Sequence, residues 1–392
     1  MVSKFLLPAI ALLLATACVP ITAPAAPANA SPLAAPTAAG QPAHQTIPAV
    51  EAARFPSPDQ AWTAVVENGG LRLEDAAGRV HEIFPPGSTI TSVTWSPDSA
   101  RLLALQSNLE PQNPTGGGYA IVGPMTIWAL SIDDLTPAQL LTLPGSAEFQ
   151  SQLQWGKWSP DGRYVTFWAG PLSAAALADG LPLAILDSIN GAIIPLNQAA
   201  PHITGYQDWT SEEASLYTTD YHDWSPDSSR LAVTLGGGRE AWRNKSLAIF
   251  DLASGITTPV AAAAGQIPGR VAWSPNGNRI AYAANPAETA DLEPSTITFD
   301  NPGIAARRIY LLDAATGGVR PLNDEDSFQD APVWRADGSV LYYIQRVDDR
   351  LQLMAADPVT GMAFGGASEP LPDLAGYYGL FDWSSLLRQI PD

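Results

Sequence analysis

A Trp followed by a Ser-Pro-Asp turn recurs along this chain, and the recurrence constrains the fold more than any other feature. The core copies are Trp95-Ser96-Pro97-Asp98, Trp158-Ser159-Pro160-Asp161-Gly162, Trp224-Ser225-Pro226-Asp227 and Trp273-Ser274-Pro275-Asn276-Gly277, with a degenerate Trp334-Arg335-Ala336-Asp337-Gly338. Phe55-Pro56-Ser57-Pro58-Asp59 leads the series and Asp382-Trp383-Ser384 trails it. Neighbouring copies lie 39 residues apart at the closest (Pro56 to Trp95) and 66 at the widest (Trp158 to Trp224). A period of that size marks one supersecondary unit repeated along the chain.

Each motif is followed by a short apolar run, such as Arg101–Leu105, Tyr164–Trp168, Arg230–Leu235, Arg279–Tyr282 and Val340–Ile344. These runs have strand length and are bounded by turn residues. Pro presets φ at the second turn position, Ser or Asp caps the turn, and Gly closes it. A second signal keeps the same register. An Asp with a Gly four residues on recurs at Asp187/Gly191, Asp251/Gly255, Asp313/Gly317 and Asp357/Gly361, and Asp75/Gly78 is a shortened copy. These read as hairpin turns in which Gly supplies a positive φ. Each unit is then strand, S-P-D-G turn, strand, variable loop, strand, D-x-x-x-G turn, strand.

This pattern resembles the TolB-type propeller repeat, a relative in shape of WD-repeat domains, over essentially all of residues 51–392. The resemblance implies an all-β fold, a β-propeller of four-stranded antiparallel blades. Blade starts near 55, 95, 158, 224, 273 and 334 predict six blades; seven would need a full unit that the pattern does not show. The strand holding Trp383 is expected to pair into the first blade and close the ring. The motif Trp residues are expected to form core between blades. TolB itself carries an α/β domain where this chain has a linker. Prolyl oligopeptidase-like enzymes add a hydrolase domain, for which no residues are left over. The repeat therefore speaks for the fold and not for the role of either relative.

Residues 1–17 read as a signal peptide, with Lys4 ahead of an apolar run from Phe5 to Ala15 that is too short to span a bilayer. Ala15-Thr16-Ala17-Cys18 resembles a bacterial lipobox, with Ala15 where Leu is usual. Cys18, the single cysteine, is the expected lipidation site, with plain secretion as the alternative. Residues 18–50, rich in Ala and Pro and without a charged residue, read as a disordered tether. The expected location is the periplasmic or extracellular face of a membrane.

Asp and Glu number 39 against 20 Lys and Arg, and a field of that sign repels nucleic acid. With one cysteine there is no intrachain disulfide and no Cys-based zinc site. The chain carries no G-x-S-x-G elbow, H-E-x-x-H, P-loop or G-x-G-x-x-G, so catalysis is not expected.

The meander topology sends both tight turns to one face. The variable loops (107–124, 169–182, 236–245 and 284–306) and the connection 197–220 go to the other. Long loops on a rigid scaffold concentrate function. Tyr119, Trp209, Arg239, Trp242, Arg243 and Phe299 are candidate anchors there. Residues four before each motif Trp (Thr91, Gln154, Asp220, Gly269, Asp330, Gly379) are expected to ring the channel mouth, beside Tyr221, His222, Asp223 and Arg270. Asp220, Asp223 and Asp330, with His222, are the weak candidates for a hard cation such as calcium. The expected function is non-enzymatic binding of an envelope protein, peptide or glycan by a monomer. A metal-dependent hydrolase or lactonase-like propeller, and a sensor or assembly part of an envelope complex, are the alternatives.

Overall fold

Among the described residues, twenty-four strands fall into six sheets, each a four-stranded antiparallel meander in chain order. The computed structural model describes residues 52–111, 119–143, 151–171, 183–196, 219–235, 245–286, 297–373 and 381–391. The first blade holds β1 (Ala53–Pro56), β2 (Trp62–Glu67), β3 (Gly70–Asp75) and β4 (Val80–Phe84). The second holds β5 (Ile90–Trp95), β6 (Arg101–Pro111), β7 (Tyr119–Ser131) and β8 (Pro137–Leu143). The third holds β9 (Ser151–Trp158), β10 (Tyr164–Pro171), β11 (Leu183–Asp187) and β12 (Ile193–Pro195). The fourth holds β13 (Thr219–Trp224), β14 (Arg230–Leu235), β15 (Ser246–Asp251) and β16 (Ile256–Pro259). The fifth holds β17 (Ile267–Trp273), β18 (Arg279–Asn285), β19 (Arg308–Asp313) and β20 (Val319–Pro321). The sixth holds β21 (Gln329–Trp334), β22 (Leu341–Val347), β23 (Arg350–Ala356) and β24 (Ala363–Pro370). This is the expected six-bladed propeller, and the first strands of neighbouring blades meet at its centre. One loop is shorter than expected: β6 and β7 extend their pairing through Pro111 and Tyr119.

The motif makes its own turn. In the second blade Ser96 Oγ accepts from the Arg101 amide at 2.9 Å, and Asp98 Oδ1 accepts from Ser96 Oγ at 2.6 Å and from the Ala100 amide at 3.0 Å. The same set recurs around Ser57, Ser159, Ser225 and Ser274. Hydrogen bonds from Ser225 and Ser229 push the Asp227 carboxyl down to about 2. The position after the Asp needs a positive φ and is held by Gly162 (68°), Gly277 (74°) and Gly338 (71°). Gln60, Ser99 and Ser228 adopt 59° there. The two serines are tied across blades: Ser99 Oγ accepts the Asp59 amide at 3.1 Å, and Ser228 Oγ accepts the Asp161 amide at 3.0 Å. Ser228→Ala, which keeps the strained φ and loses the bond, is expected to cost about 1–2 kcal/mol. Ser228→Gly, which relieves φ, should stay closer to wild type, and urea denaturation separates the two.

The D-x-x-x-G glycines serve a second purpose. Gly191 (φ 75°) and Gly361 (φ 75°) lie so close to the Leu140 and Leu322 carbonyls of the preceding blade that a Cβ would overlap them. Gly361→Ala therefore meets strain and a backbone clash together, and we expect a loss of about 1–3 kcal/mol in unfolding free energy.

Five apolar clusters join consecutive blades, and each contains a motif Trp. Trp95 serves the first and second blades, Trp158 the second and third, Trp224 the third and fourth, Trp273 the fourth and fifth, and Trp334 the fifth and sixth. Four of the indoles also donate to the residue before the motif Trp position in the preceding blade. Trp95 reaches the Phe55 carbonyl (2.9 Å), Trp158 the Thr94 hydroxyl (2.9 Å), Trp224 the Lys157 carbonyl (3.1 Å) and Trp334 the Ala272 carbonyl (3.1 Å).

Trp383 corrects the expected closure. It is not in a strand and pairs with no part of the first blade, whose four strands are its own. It precedes a short helix, α2 (Ser384–Leu387), and is buried with Phe299, Phe328 and Leu386 on the sixth blade. A second short helix of the described residues, α1 (Pro302–Ala305), is capped by the Asn301 side chain, which accepts the Gly303 amide.

Candidate functional site

The inner strands β5, β9, β13, β17 and β21 each carry a register shift before the motif Trp. A bulge re-aims side chains, and its effect here corrects the expected ring of residues four before the Trp. Thr91 turns back onto its own blade, hydrogen-bonded to the Leu105 carbonyl (3.3 Å) and Ser107 (3.1 Å). Gln154 is exposed, and Gly269 backs onto the Arg307 guanidinium. Asp330 is buried and its carboxylate lies 3.5 Å from Arg307 Nη1. Gly379 and the side chain of Asp220 lie outside the described residues.

From the second to the fifth blade, contacts between inner strands run instead through residues one and three before the Trp. Three before, Trp155 Nε1 donates to Ser92 Oγ (3.1 Å), and the Arg270 guanidinium lies 5.0 Å over the Tyr221 ring. One before, Lys157 Nζ and Asp223 Oδ1 pair at 2.7 Å. Asp223 Oδ2 also accepts the Trp273 backbone amide at 2.7 Å, so one carboxylate links three blades. Trp155, Lys157, Tyr221, Asp223 and Arg270 thus form a continuous wall across the third to fifth blades. Sequence reading found Tyr221, Asp223 and Arg270 and missed Trp155 and Lys157. Their alignment with Tyr221 and Asp223 at the same distance from the motif was the signal available.

His222, two before Trp224, points into the joint between blades. Its Nε2 pairs with Thr166 Oγ1 at 2.7 Å, and Trp168 meets the ring edge-on at 5.1 Å. Nδ1 is buried with no hydrogen-bond partner among the described residues. Burial, aided by the Lys157 charge, holds its pKa well below the ordinary value near 6.5. The unfolded chain then binds a proton that the folded state refuses, so stability falls as pH drops below about 6.5. Thermal midpoints between about pH 8 and 5 should show this fall in wild type and a flatter profile in His222→Gln.

Asp223, His222 and Asp330 are each engaged elsewhere. Among the described residues no three His, Cys, Asp or Glu side chains are grouped closely enough for a metal ion. Phe299 is buried in the sixth-blade cluster and is no free anchor. Tyr119 lies in β7 with its side chain outside the described residues, and Cys18, Trp209, Arg239, Trp242 and Arg243 lie outside them altogether.

No family model and no curated protein matches the chain. Solved structures similar to it include TolB from Acinetobacter baumannii, at 14% identity over 82% of this chain and 65% of that one, with a TM-score of 0.37. Oligogalacturonate lyase from Vibrio parahaemolyticus matches at 11% identity over 78% and 76%, with a TM-score of 0.44. Dipeptidyl peptidase 4 from Porphyromonas gingivalis matches at 14% identity over 81% of this chain and 46% of its own, with a TM-score of 0.49. Repeat and sheets together decide the class. The fold is a six-bladed, all-β propeller. In this propeller the motif builds the tight turns of one face.

Proposed function

We propose that this propeller is a non-enzymatic binding scaffold of the bacterial cell envelope, recognising a protein, peptide or glycan partner on its loop-rich face. The observation that carries the reading is the channel wall, where aromatic rings and cations converge: Trp155, Tyr221, Lys157 and Arg270. Rigid aromatics and Arg are the usual anchors of recognition surfaces, and here they stand on inner strands packed on both sides. Affinity capture from envelope extracts tests it. A Trp155→Ala/Tyr221→Ala protein that still melts cooperatively should lose at least about tenfold of the captured partner; unchanged capture would overturn the reading. Stable co-purification with a membrane complex would instead mark an assembly component.

Attachment is proposed through a lipid on Cys18. Among the described residues no helix is long and apolar enough to cross a membrane. The mass of the mature N-terminus should show an acylated Cys18, and Cys18→Ala should move the protein from the membrane to the soluble fraction.

A further inference from the structure

We propose that the outer hairpin of the sixth blade, around the Asp357–Gly361 turn, is a second docking surface, for a basic protein segment. The segment lays a Lys or Arg side chain in the groove beside the turn and apolar side chains over the turn itself. The surface lies among the tight turns and shares no residue with the channel wall. Of the seven large hydrophobic side chains exposed among the described residues, three belong to this hairpin: Val359 (67%), Met362 (61%) and Phe364 (66%). Single exposed apolar residues are ordinary, but three within six residues mark a surface. The turn itself requires none of them. Asp357 Oδ1 closes it by accepting the Val359 (2.7 Å) and Thr360 (3.3 Å) amides, and Gly361 supplies the positive φ. The hairpin also stands on a fixed base. Arg279 and Arg320 of the fifth blade both donate to the Pro358 carbonyl, and Gly361 fits against the Leu322 carbonyl. A surface held in place before binding loses little freedom when a partner arrives.

A groove of 570 Å³ borders the turn, its lining including Asn276, Asn278, Arg279, Asp313, Asp357 and Val359. The equivalent turn carboxylates of the first and third blades are neutralised, Asp75 by Arg79 (2.6 Å) and Asp187 by Arg163 (2.8 Å). Asp313 and Asp357 form no ion pair among the described residues. Their turn hydrogen bonds run through Oδ1, so one oxygen of each stays available to a cation. The Thr316 amide holds the Asp313 carboxyl below its ordinary range, and the Val359 amide does the same for Asp357, so both are charged at neutral pH. Two carboxylates face one guanidinium in the groove, and the chain as a whole carries −19. A second copy or an anionic lipid surface would meet like charge there, whereas a basic segment meets the opposite sign. Ala363 packs into the core shared with the fifth blade, so by strand alternation Met362 and Phe364 stand on the hairpin's other side. The partner therefore straddles the turn, crossing it at Val359.

The full chain with isotope-labelled methionine methyl groups tests this by NMR titration. Met362 is the exposed reporter, and Met125, buried at 3% in the second blade, is the control. The probe is the peptide acetyl-Lys-Ser-Leu-Ser-Leu-amide, compared with the same peptide carrying norleucine in place of Lys. The Met362 signal should move saturably while Met125 stays still, and the neutral peptide should bind at least about tenfold more weakly. Asp313→Asn/Asp357→Asn should weaken the Lys peptide by a similar factor. Asn can keep both turns, as Asn276 does in the fifth blade, where its Oδ1 accepts Ser274 Oγ (2.9 Å) and the Asn278 amide (3.1 Å). A Met362 signal that does not move, equal binding of the two peptides, or a folded double variant that binds like wild type sinks the proposal. So does a shift produced by phosphatidylcholine vesicles and not by the Lys peptide, which would make a lipid surface the occupant. If the double variant does not fold, the two peptides on wild type decide. The titration does not involve the channel wall, so this reading and the proposed function fail separately.

Discussion

Asp330→Ala is expected to lower the unfolding free energy by about 3–5 kcal/mol, the largest single-site effect at the candidate site. Arg307 is almost wholly buried at 1% exposure and Asp330 at 4%, so neither charge is solvated in the folded state. Asp330 Oδ2 faces Arg307 Nη1 at 3.5 Å, and Asn285 Oδ1 accepts Arg307 Nε at 3.1 Å. Removing the carboxylate takes away the charge that Asp330 sets against the buried guanidinium, and that penalty exceeds what the pair contributes. Replacing both partners by apolar residues of similar volume should therefore cost less than Asp330→Ala alone. Urea denaturation of the single and double variants decides the matter, and a single-variant loss below about 1 kcal/mol would falsify the assignment.

Trp224→Ala is the second large expectation, at about 3–5 kcal/mol. The ring is 5% exposed, stacks on Tyr164 with centroids 6.3 Å apart, and fills the joint between the third and fourth blades. Its indole also satisfies the Lys157 carbonyl. The milder Trp→Phe change sorts the motif tryptophans. Trp224→Phe gives up a hydrogen bond as well as volume, whereas Trp383→Phe removes a donor with no partner among the described residues. The first should cost about 1 kcal/mol more than the second. Equal losses would show that indole hydrogen bonding across blades contributes nothing measurable.

Much of this molecule was legible in the chain. Ser96, Asp98 and their counterparts close their turns with their own side chains, and Gly191 or Gly361 takes a backbone angle that other residues resist. Because these interactions are local, the strand order, the blade count and the motif Trp at each joint could be read in advance. The channel wall was legible only in part. Counting four residues back from each motif Trp gave the wrong ring because β5, β9, β13, β17 and β21 are bulged, and which residue a bulge displaces depends on the neighbouring strand.

The trailing motif separates the two kinds of information most clearly. Asp382-Trp383-Ser384 has the letters of an inner strand, and by itself the sequence determined that this Trp would be buried. Only the tertiary structure decided where, and in what conformation. A strand exists only when another edge meets its backbone hydrogen bonds, and among the described residues no edge is offered to Trp383. The segment instead closes its hydrogen bonds locally, Leu387 back to Trp383, and lays its apolar side chains on the sixth blade beside Ile297, Phe299 and Ile304 of the β18–β19 connection. Turns were decided by neighbours in sequence; pairing, the channel wall and the packing of the C-terminal segment were decided by neighbours in space.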